Sequence, residues 1–148
     1  MSSTSKATSK TQWLSDRLSQ PIKDLISKFY ALADLKAPEA GPRMAVEVFS
    51  ADALMITANG TFHSSSEISR SRDNAWAVVA TRQHHVLQVF AGDQDVPDIA
   101  LIGSLDTGFT NGKTLTAPFA SLLKLDWPTG AEPRIRHLEV FALHLPLH

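Results

Sequence analysis

Two adjacent histidines, His84 and His85, are the residues of this sequence best suited to move a proton. They lie in a segment of β-forming residues that we interpret as a strand. Because successive side chains of a strand point to opposite faces, one histidine is predicted to face the interior and the other the opposite side. A neutral imidazole accepts and returns a proton near pH 7, so the inward histidine is a candidate general base. The alternative is a histidine that only makes structural hydrogen bonds within the sheet.

Asp34 and Tyr30 are four residues apart near the end of a predicted helix, so both lie on one flank of it. This flank lies beside the apolar stripe of the helix, not opposite it. The alternative for Asp34 is a solvated position near a helix end. Arg72 falls within the apolar stripe of another predicted helix. Because an unpaired buried charge is costly, Arg72 is expected either to pair with a carboxylate such as Asp34 or to bind an oxygen atom of a ligand.

Three further polar residues are secondary candidates. His137 and Glu139 are two positions apart on the last predicted strand, and their shared face belongs either to a pocket or to a subunit interface. His63 ends a short predicted hairpin near a pocket rim.

Adjacent histidines on a regular strand cannot bind one ion together, and the chain has no cysteine. We therefore predict no metal site, and the absence of nucleotide-binding motifs predicts no organic cofactor.

The elements that carry these residues are helices first. An apolar stripe that begins at about Trp13 and continues to Ala33 predicts the first helix. Pro21 fits the first turn of its main part, with Ser19 or Gln20 before it. A second short helix is predicted from Pro42.

A hairpin and a third helix follow. Asn59-Gly60 between two short apolar runs is typical of a type I′ turn. Ser64 and Glu67 match a capping box that opens a helix, and its inner stripe continues to Val79.

The remainder of the chain is predicted to be an antiparallel meander of long strands. Asn111-Gly112 marks a tight turn within it. Several strands carry apolar residues on both faces, whereas a sheet with one solvated face alternates. We therefore expect helices on one face and the second subunit of a homodimer on the other. The predicted strands are Thr81–Phe90, Asp98–Phe109, Thr114–Trp127 and Arg134–Leu145.

Composition limits the possible classes of protein. The 148 residues are 43% hydrophobic with a formal net charge of −1, which is typical of one globular domain. Such a charge gives no field to recruit nucleic acid or an anionic membrane. Residues 1–11 are mostly Ser, Thr and Lys, so we expect a disordered tail there and one domain over residues 12–148. No apolar segment resembles a secretory signal or a membrane span, and a cytoplasmic protein is expected.

Two motifs resemble a known superfamily. A first helix that ends in F-Y-x-x-x-D, with Phe29, Tyr30 and Asp34, and the string R-Q-H-H-V-L-Q-V-F at 82–90 are similar to nuclear transport factor 2-like and SnoaL-like proteins. The second motif is also loosely similar to the T-Q-H-F strand of scytalone dehydratase. That enzyme uses more than one tyrosine, and this chain has one. The resemblance implies a cone-shaped α+β fold, with three N-terminal helices packed on a curved, mainly antiparallel sheet. It also implies that His84 faces the cone and that Asp34 orients it.

The resemblance implies a pocket but not a particular reaction, because this fold hosts many activities. We expect a cofactor-independent isomerase, cyclase or dehydratase for a small hydrophobic oxygenated metabolite. Its catalytic residues would be His84, Asp34, Tyr30, Arg72 and His85. The alternative is a non-catalytic module that binds a small ligand or only dimerises, for which a filled cone would argue. The expected substrate contacts are Phe29, Trp76, Met55, Val86, Phe119, His63, His137 and Glu139.

Overall fold

The computed structural model describes residues 5–142. Three helices lie against one curved sheet, which confirms the predicted α+β architecture. The helices are α1 (Gln20–Ala33), α2 (Ala40–Glu47) and α3 (Ser64–Ser69). The strands are β1 (Gln12–Trp13), β2 (Phe49–Thr57), β3 (Gly60–His63), β4 (Val79–Ala91), β5 (Ile99–Phe109), β6 (Thr114–Asp126) and β7 (Arg134–Ala142).

The seven strands form one sheet in the order β1-β4-β5-β6-β7-β2-β3. Strands β4 to β7 form the predicted antiparallel meander, while β2 runs parallel to β7 and β1 parallel to β4. His84 pairs with Leu105, and Leu105 pairs with Ala117. Because side chains at paired positions share a face, these three residues lie side by side on the face that the helices cover.

Helix α1 carries the first part of the site. Pro21 occupies its first turn after Ser19 at the N-cap, as predicted, because a proline lacks only an amide that has no helical partner there. Apolar residues at three- and four-residue spacing pack against the sheet, among them Ile22, Ile26 and Phe29, each 5% exposed or less. The helix ends at Ala33 and is capped by Asp34, whose amide donates to the carbonyl of Tyr30. This end places the Asp34 carboxylate against β4.

The N-terminal segment differs from the prediction. Residues Lys6–Thr8 form a 3₁₀ helix within the expected disordered tail, and Ala7 is 3% exposed. Thr8 Oγ1 lies 2.7 Å from Ser27 Oγ of α1, which ties this segment to the core. Trp13 belongs to β1 rather than to a helix and pairs with Val89 of β4. This pairing joins residues far apart in the sequence, and it overrides the local apolar pattern that predicted a helix at Trp13.

The third helix is shorter than predicted. It ends at Ser69, and residues 70–78 continue as turns with i to i+3 bonds, such as that from the Ala75 amide to the Arg72 carbonyl. Glu67 does reach back, but its Oε1 accepts from the amide of His63, because His63 and not Ser64 is the N-cap.

The first hairpin turn also differs from the prediction by one position. Thr57 pairs with Gly60, so Ala58 and Asn59 form the turn. The positive φ of 138° falls on Gly60, whereas a type I′ turn requires positive φ at both central residues.

Candidate active site

His84 and Asp34 form a close pair at the end of α1. His84 Nδ1 lies 2.6 Å from Asp34 Oδ1, and the His84 amide donates to Asp34 Oδ2 at 2.9 Å. Gln83 Nε2 donates to the same Oδ2 at 3.2 Å. Both side chains of the pair are largely buried, with 15% of His84 and 11% of Asp34 exposed. Both oxygens of the Asp34 carboxylate therefore accept hydrogen bonds. His84 is held through its ring nitrogen Nδ1 and through its backbone amide.

The pair fixes the chemical state of the ring. A carboxylate accepts hydrogen bonds, so the neutral imidazole donates Nδ1–H to Asp34 and keeps Nε2 as its basic nitrogen. His84 lines a cavity of about 170 Å³. This arrangement of an oriented imidazole and a buried carboxylate is suited to general acid–base catalysis, because Asp34 stabilises the imidazolium that forms when Nε2 takes a proton.

The cavity walls are mostly apolar, with a few polar groups. Its apolar lining residues include Phe29, Ala33, Leu105, Phe119 and Val140. Its polar lining residues include Tyr30, Arg72, Arg82, His84 and Ser121. Thr57, Ala58 and Asn59 of the first hairpin also contribute. Apolar walls with a few placed polar groups are typical of small-molecule sites.

Phe119 packs against His84 because the residue paired with Phe119 on the neighbouring strand is a glycine. The two rings meet edge to face with centroids 5.4 Å apart. Phe119 pairs with Gly103 of β5, where an added Cβ would lie 2.8 Å from the phenyl ring. The lack of a side chain at Gly103 allows the phenyl ring to lie over the strand.

Tyr30 also packs against the histidine ring, with ring centroids 5.1 Å apart, and its ring centroid lies 5.8 Å from that of Phe119. It is 2% exposed, and its hydroxyl lies 3.1 Å from Ser121 Oγ. Burial raises the pKa of Tyr30 well above its ordinary value, and the hydrogen bond to Ser121 only partly opposes this. The phenol therefore stays protonated and is available as a hydrogen-bond donor.

Two arginines lie beside the pair. Arg72 donates from Nη2 to the carbonyl of Ala33 at 2.7 Å, and Arg82 from Nη2 to the carbonyl of Ala75 at 3.0 Å. The guanidinium of Arg82 also stacks over the Trp76 ring, 4.8 Å from its centroid. Burial lowers the pKa of Arg72 to about 10, with a smaller lowering by the charge of Arg82. Both guanidinium groups remain cationic at neutral pH.

Five of the residues expected at the site line this cavity: Phe29, Tyr30, Arg72, His84 and Phe119. Asp34 holds one of them through its carboxylate. Arg72 does not pair with Asp34, which was one of its two expected partners. It bonds a backbone carbonyl instead, because His84 and Gln83 occupy the carboxylate.

Four expected residues lie away from the cavity. His85 faces the opposite side of the sheet from His84, and its Nε2 lies 3.0 Å from Asp106 Oδ2. His137 and Glu139 also lie on that outer face, since they alternate with the buried Leu138. His63 is exposed at the end of β3.

Three expected apolar contacts also differ. Met55 and Val86 are 3% and 1% exposed and belong to the hydrophobic core instead of the cavity wall. They lie two residues deeper along their strands than Thr57 and His84, where the helices fill the cone. Trp76 lies behind Arg82 and lines a neighbouring groove with Lys36.

Sequence reasoning missed Arg82 and Ser121. Arg82 precedes His84 by two positions, and the period of a strand would have placed both on one face. Ser121 follows Phe119 by two positions in the same way.

No three His, Asp or Glu side chains among the described residues are arranged to hold a metal ion. Over residues 5–142, no helix has the length and apolar character to cross a lipid bilayer.

The fold is shared with several solved structures. A nuclear transport factor 2-like superfamily protein from Salmonella enterica matches with a TM-score of 0.70 and 14% identity, over 85% of this chain and 91% of that one. A type 2 hexachlorocyclohexane dehydrochlorinase matches with a TM-score of 0.68 and 13% identity, over 86% and 87%. A protein with a ketosteroid isomerase-like fold from Catenulispora acidiphila, in complex with trimethylamine, matches with a TM-score of 0.60 and 16% identity, over 79% and 83%.

No protein-family model and no curated protein matches the sequence. The resemblance drawn from the two sequence motifs is nevertheless confirmed by the structural matches, at the level of the fold. The chain has the nuclear transport factor 2-like fold.

Proposed function

We propose that this protein catalyses a cofactor-independent proton transfer on a small hydrophobic oxygenated metabolite, as an isomerase, cyclase or dehydratase. The observation that carries the proposal is the His84–Asp34 pair, joined at 2.6 Å, in the wall of an apolar cavity. If side chains had filled the cone, a non-catalytic module would have been favoured over an enzyme. The cavity and the oriented histidine support the enzyme instead.

In the proposed reaction, His84 Nε2 takes a proton from a carbon next to a carbonyl group. Asp34 stabilises the resulting imidazolium, and negative charge develops on the carbonyl oxygen. Tyr30 or Arg72 donates a hydrogen bond to that oxygen, where a preformed donor is most effective. Return of the proton to a different carbon gives isomerisation. Its transfer to a departing hydroxyl gives water and an alkene.

The structural matches are compatible with this chemistry. One neighbour is named a dehydrochlorinase and another is described by an isomerase-like fold. A bound trimethylamine in the second protein is consistent with small-molecule binding in this architecture. The identities of 13% and 16% carry over neither substrate nor reaction, so the proposal depends on the residues of this chain.

The proposal is tested by solvent exchange. Purified protein is incubated in D₂O with a panel of small cyclic ketones and β-hydroxyketones. NMR then follows the loss of signal from protons next to the carbonyl and the elimination of water. We expect catalysed exchange or elimination for at least one compound. His84→Asn should lower that rate about 10²–10⁴-fold, the usual contribution of a general base.

The matched control is Arg136→Gln, at an arginine whose side chain is 47% exposed and pairs with Asp126. This variant should keep the wild-type rate. Equal rates for wild type and His84→Asn, or no reaction above buffer across the panel, would contradict the proposal.

The outer face of the sheet supports a second proposal, a homodimer. Phe90, Ile102, Leu122 and Phe141 are each 42–50% exposed there. Pairing across β4 to β7 places them in two adjacent rows with Ala100 and Ala120 between them. A continuous exposed apolar patch of this kind is typical of an interaction surface. A second copy of the chain would bury it.

A further inference from the structure

Arg72 and Arg82 bring two positive charges to the cavity that holds His84. Each guanidinium is anchored by one Nη2 bond to a backbone carbonyl, that of Ala33 or Ala75. Stacking on Trp76 further fixes Arg82. The two groups are close enough that the charge of Arg82 disfavours the charged form of Arg72. Both cations are therefore held in place beside the same site.

One nearby carboxylate, that of Asp34, favours the charged form of both arginines and so offsets only part of their combined charge. Among residues 5–142, neither arginine forms an ion pair with a carboxylate. Asp34 is the nearby acid, and its oxygens are bonded to His84 and Gln83. Buried Nε of Arg72 and buried Nη1 of Arg82 also meet no hydrogen-bond acceptor within this part of the chain. Buried charged donors of this kind are costly unless an acceptor joins them.

We propose that Arg72 and Arg82 bind a carboxylate group of the substrate, so that this cavity takes a small apolar carboxylic acid. A planar guanidinium matches the two oxygens of a carboxylate, which explains the use of arginine at both positions. The apolar walls, with Phe29, Phe119 and Val140, would hold the hydrocarbon body. His84 would then face the reactive C–H bond of an anchored anion. This inference depends on the proposed function for the identity of the substrate site, but the binding step can be measured without turnover.

The test compares benzoate with benzamide, which have nearly the same size and shape and differ in charge. Each is titrated into the intact protein, and amide shifts in ¹H–¹⁵N NMR spectra locate the site and report the affinity. We expect shifts at His84 and Phe119, and benzoate affinity at least about tenfold higher than that of benzamide. Arg72→Gln and Arg82→Gln should each weaken benzoate binding by about tenfold or more. Arg136→Gln, remote from the cavity, should leave the affinity unchanged.

Equal affinity for the two probes, or benzoate binding that persists in both cavity variants, would overturn the inference. If a glutamine variant does not fold, the corresponding lysine variant keeps the charge and loses the guanidinium fork. A smaller loss of benzoate affinity is then expected. The comparison of benzoate with benzamide on the wild-type protein still tests the inference. The two proposals fail separately. Selective benzoate binding without proton exchange on any ketone would sink only the catalytic proposal, whereas exchange without benzoate selectivity would sink only the carboxylate site.

Discussion

His84 Nδ1 lies 2.6 Å from Asp34 Oδ1, although fifty residues separate the two in sequence. The amide of His84 bonds the second oxygen of the same carboxylate, so backbone and ring are held together. Asp34 is in turn fixed as the C-cap of α1. The orientation of the imidazole is therefore set by the packing of a helix end on a strand. Such preorganisation is what a proton-transfer site requires, because no rearrangement is needed when charge develops.

The first prediction concerns ionisation of Tyr30. It is the only tyrosine of the chain, so tyrosinate absorbance reports this group alone. Its pKa is raised above the ordinary 10.0 mainly by burial, so the folded protein should show no tyrosinate at pH 10–11. Because the folded pKa is the higher one, this group contributes stability that is complete below pH 10.0 and declines as the pH rises above it.

The measurement is an alkaline titration followed by absorbance and by far-ultraviolet circular dichroism. Tyrosinate should appear only together with unfolding, and protein unfolded in denaturant should titrate near 10.0. Tyrosinate formed near pH 10 by a protein that remains folded would show that the phenol is accessible to solvent.

The second prediction tests the close packing at Gly103. An added Cβ in Gly103→Ala would clash with the carbonyl oxygen of His85 and would lie 2.8 Å from the ring of Phe119. Since backbone and a buried ring must shift, we expect a loss of about 1–3 kcal/mol in the free energy of unfolding, measured in urea. Ser104→Ala on the neighbouring outward-facing position should change it little. An unchanged urea midpoint for Gly103→Ala would mean that Phe119 moves without cost.

The third prediction concerns assembly. We expect sedimentation at micromolar concentration to give a dimer for wild type and a monomer for Ile102→Lys, because a charge in the middle of the apolar patch opposes its burial. Val46→Lys is the control, since Val46 is 74% exposed on α2 and away from the outer face of the sheet. A monomeric wild type, or a dimer that survives Ile102→Lys, would count against this interface.

Much of the fold was predictable from local patterns. The meander depends on long β-forming segments separated by turn residues, and the observed β5 starts one residue after its predicted start at Asp98. Pro21 was expected in the first turn of the main part of the first helix, and it occupies the first turn of α1. The alternation of side chains along a strand predicts that His84 and His85 face opposite sides of the sheet. The resemblance to the superfamily then implies that His84 is the one that faces inward.

The remaining features depend on contacts that local patterns do not contain. The apolar periodicity of α1 extends back to Trp13 in the sequence and predicts a helix there. In the structure, Trp13 instead pairs with Val89 in the sheet. The sequence predicts a longer third helix that includes Arg72, whereas the bond of Arg72 to the carbonyl of Ala33 holds it in a turn next to the end of α1. Arg82 entered the site because Trp76 and Ala75 fold back over β4. These contacts join residues from separate elements.

The central claim is that Asp34 fixes His84 as a base at Nε2, and the most direct measurement is the tautomer of that ring. Long-range ¹H–¹⁵N NMR spectra distinguish the protonated nitrogen of a neutral histidine from the unprotonated one. We predict protonation at Nδ1 in wild type and loss of this preference in Asp34→Asn. Asp106→Asn removes the partner of His85, whose Nε2 lies 3.0 Å from that carboxylate, and should leave His84 unchanged. A His84 ring protonated at Nε2 in wild type, or one whose tautomer is unaffected by Asp34→Asn, would contradict the account.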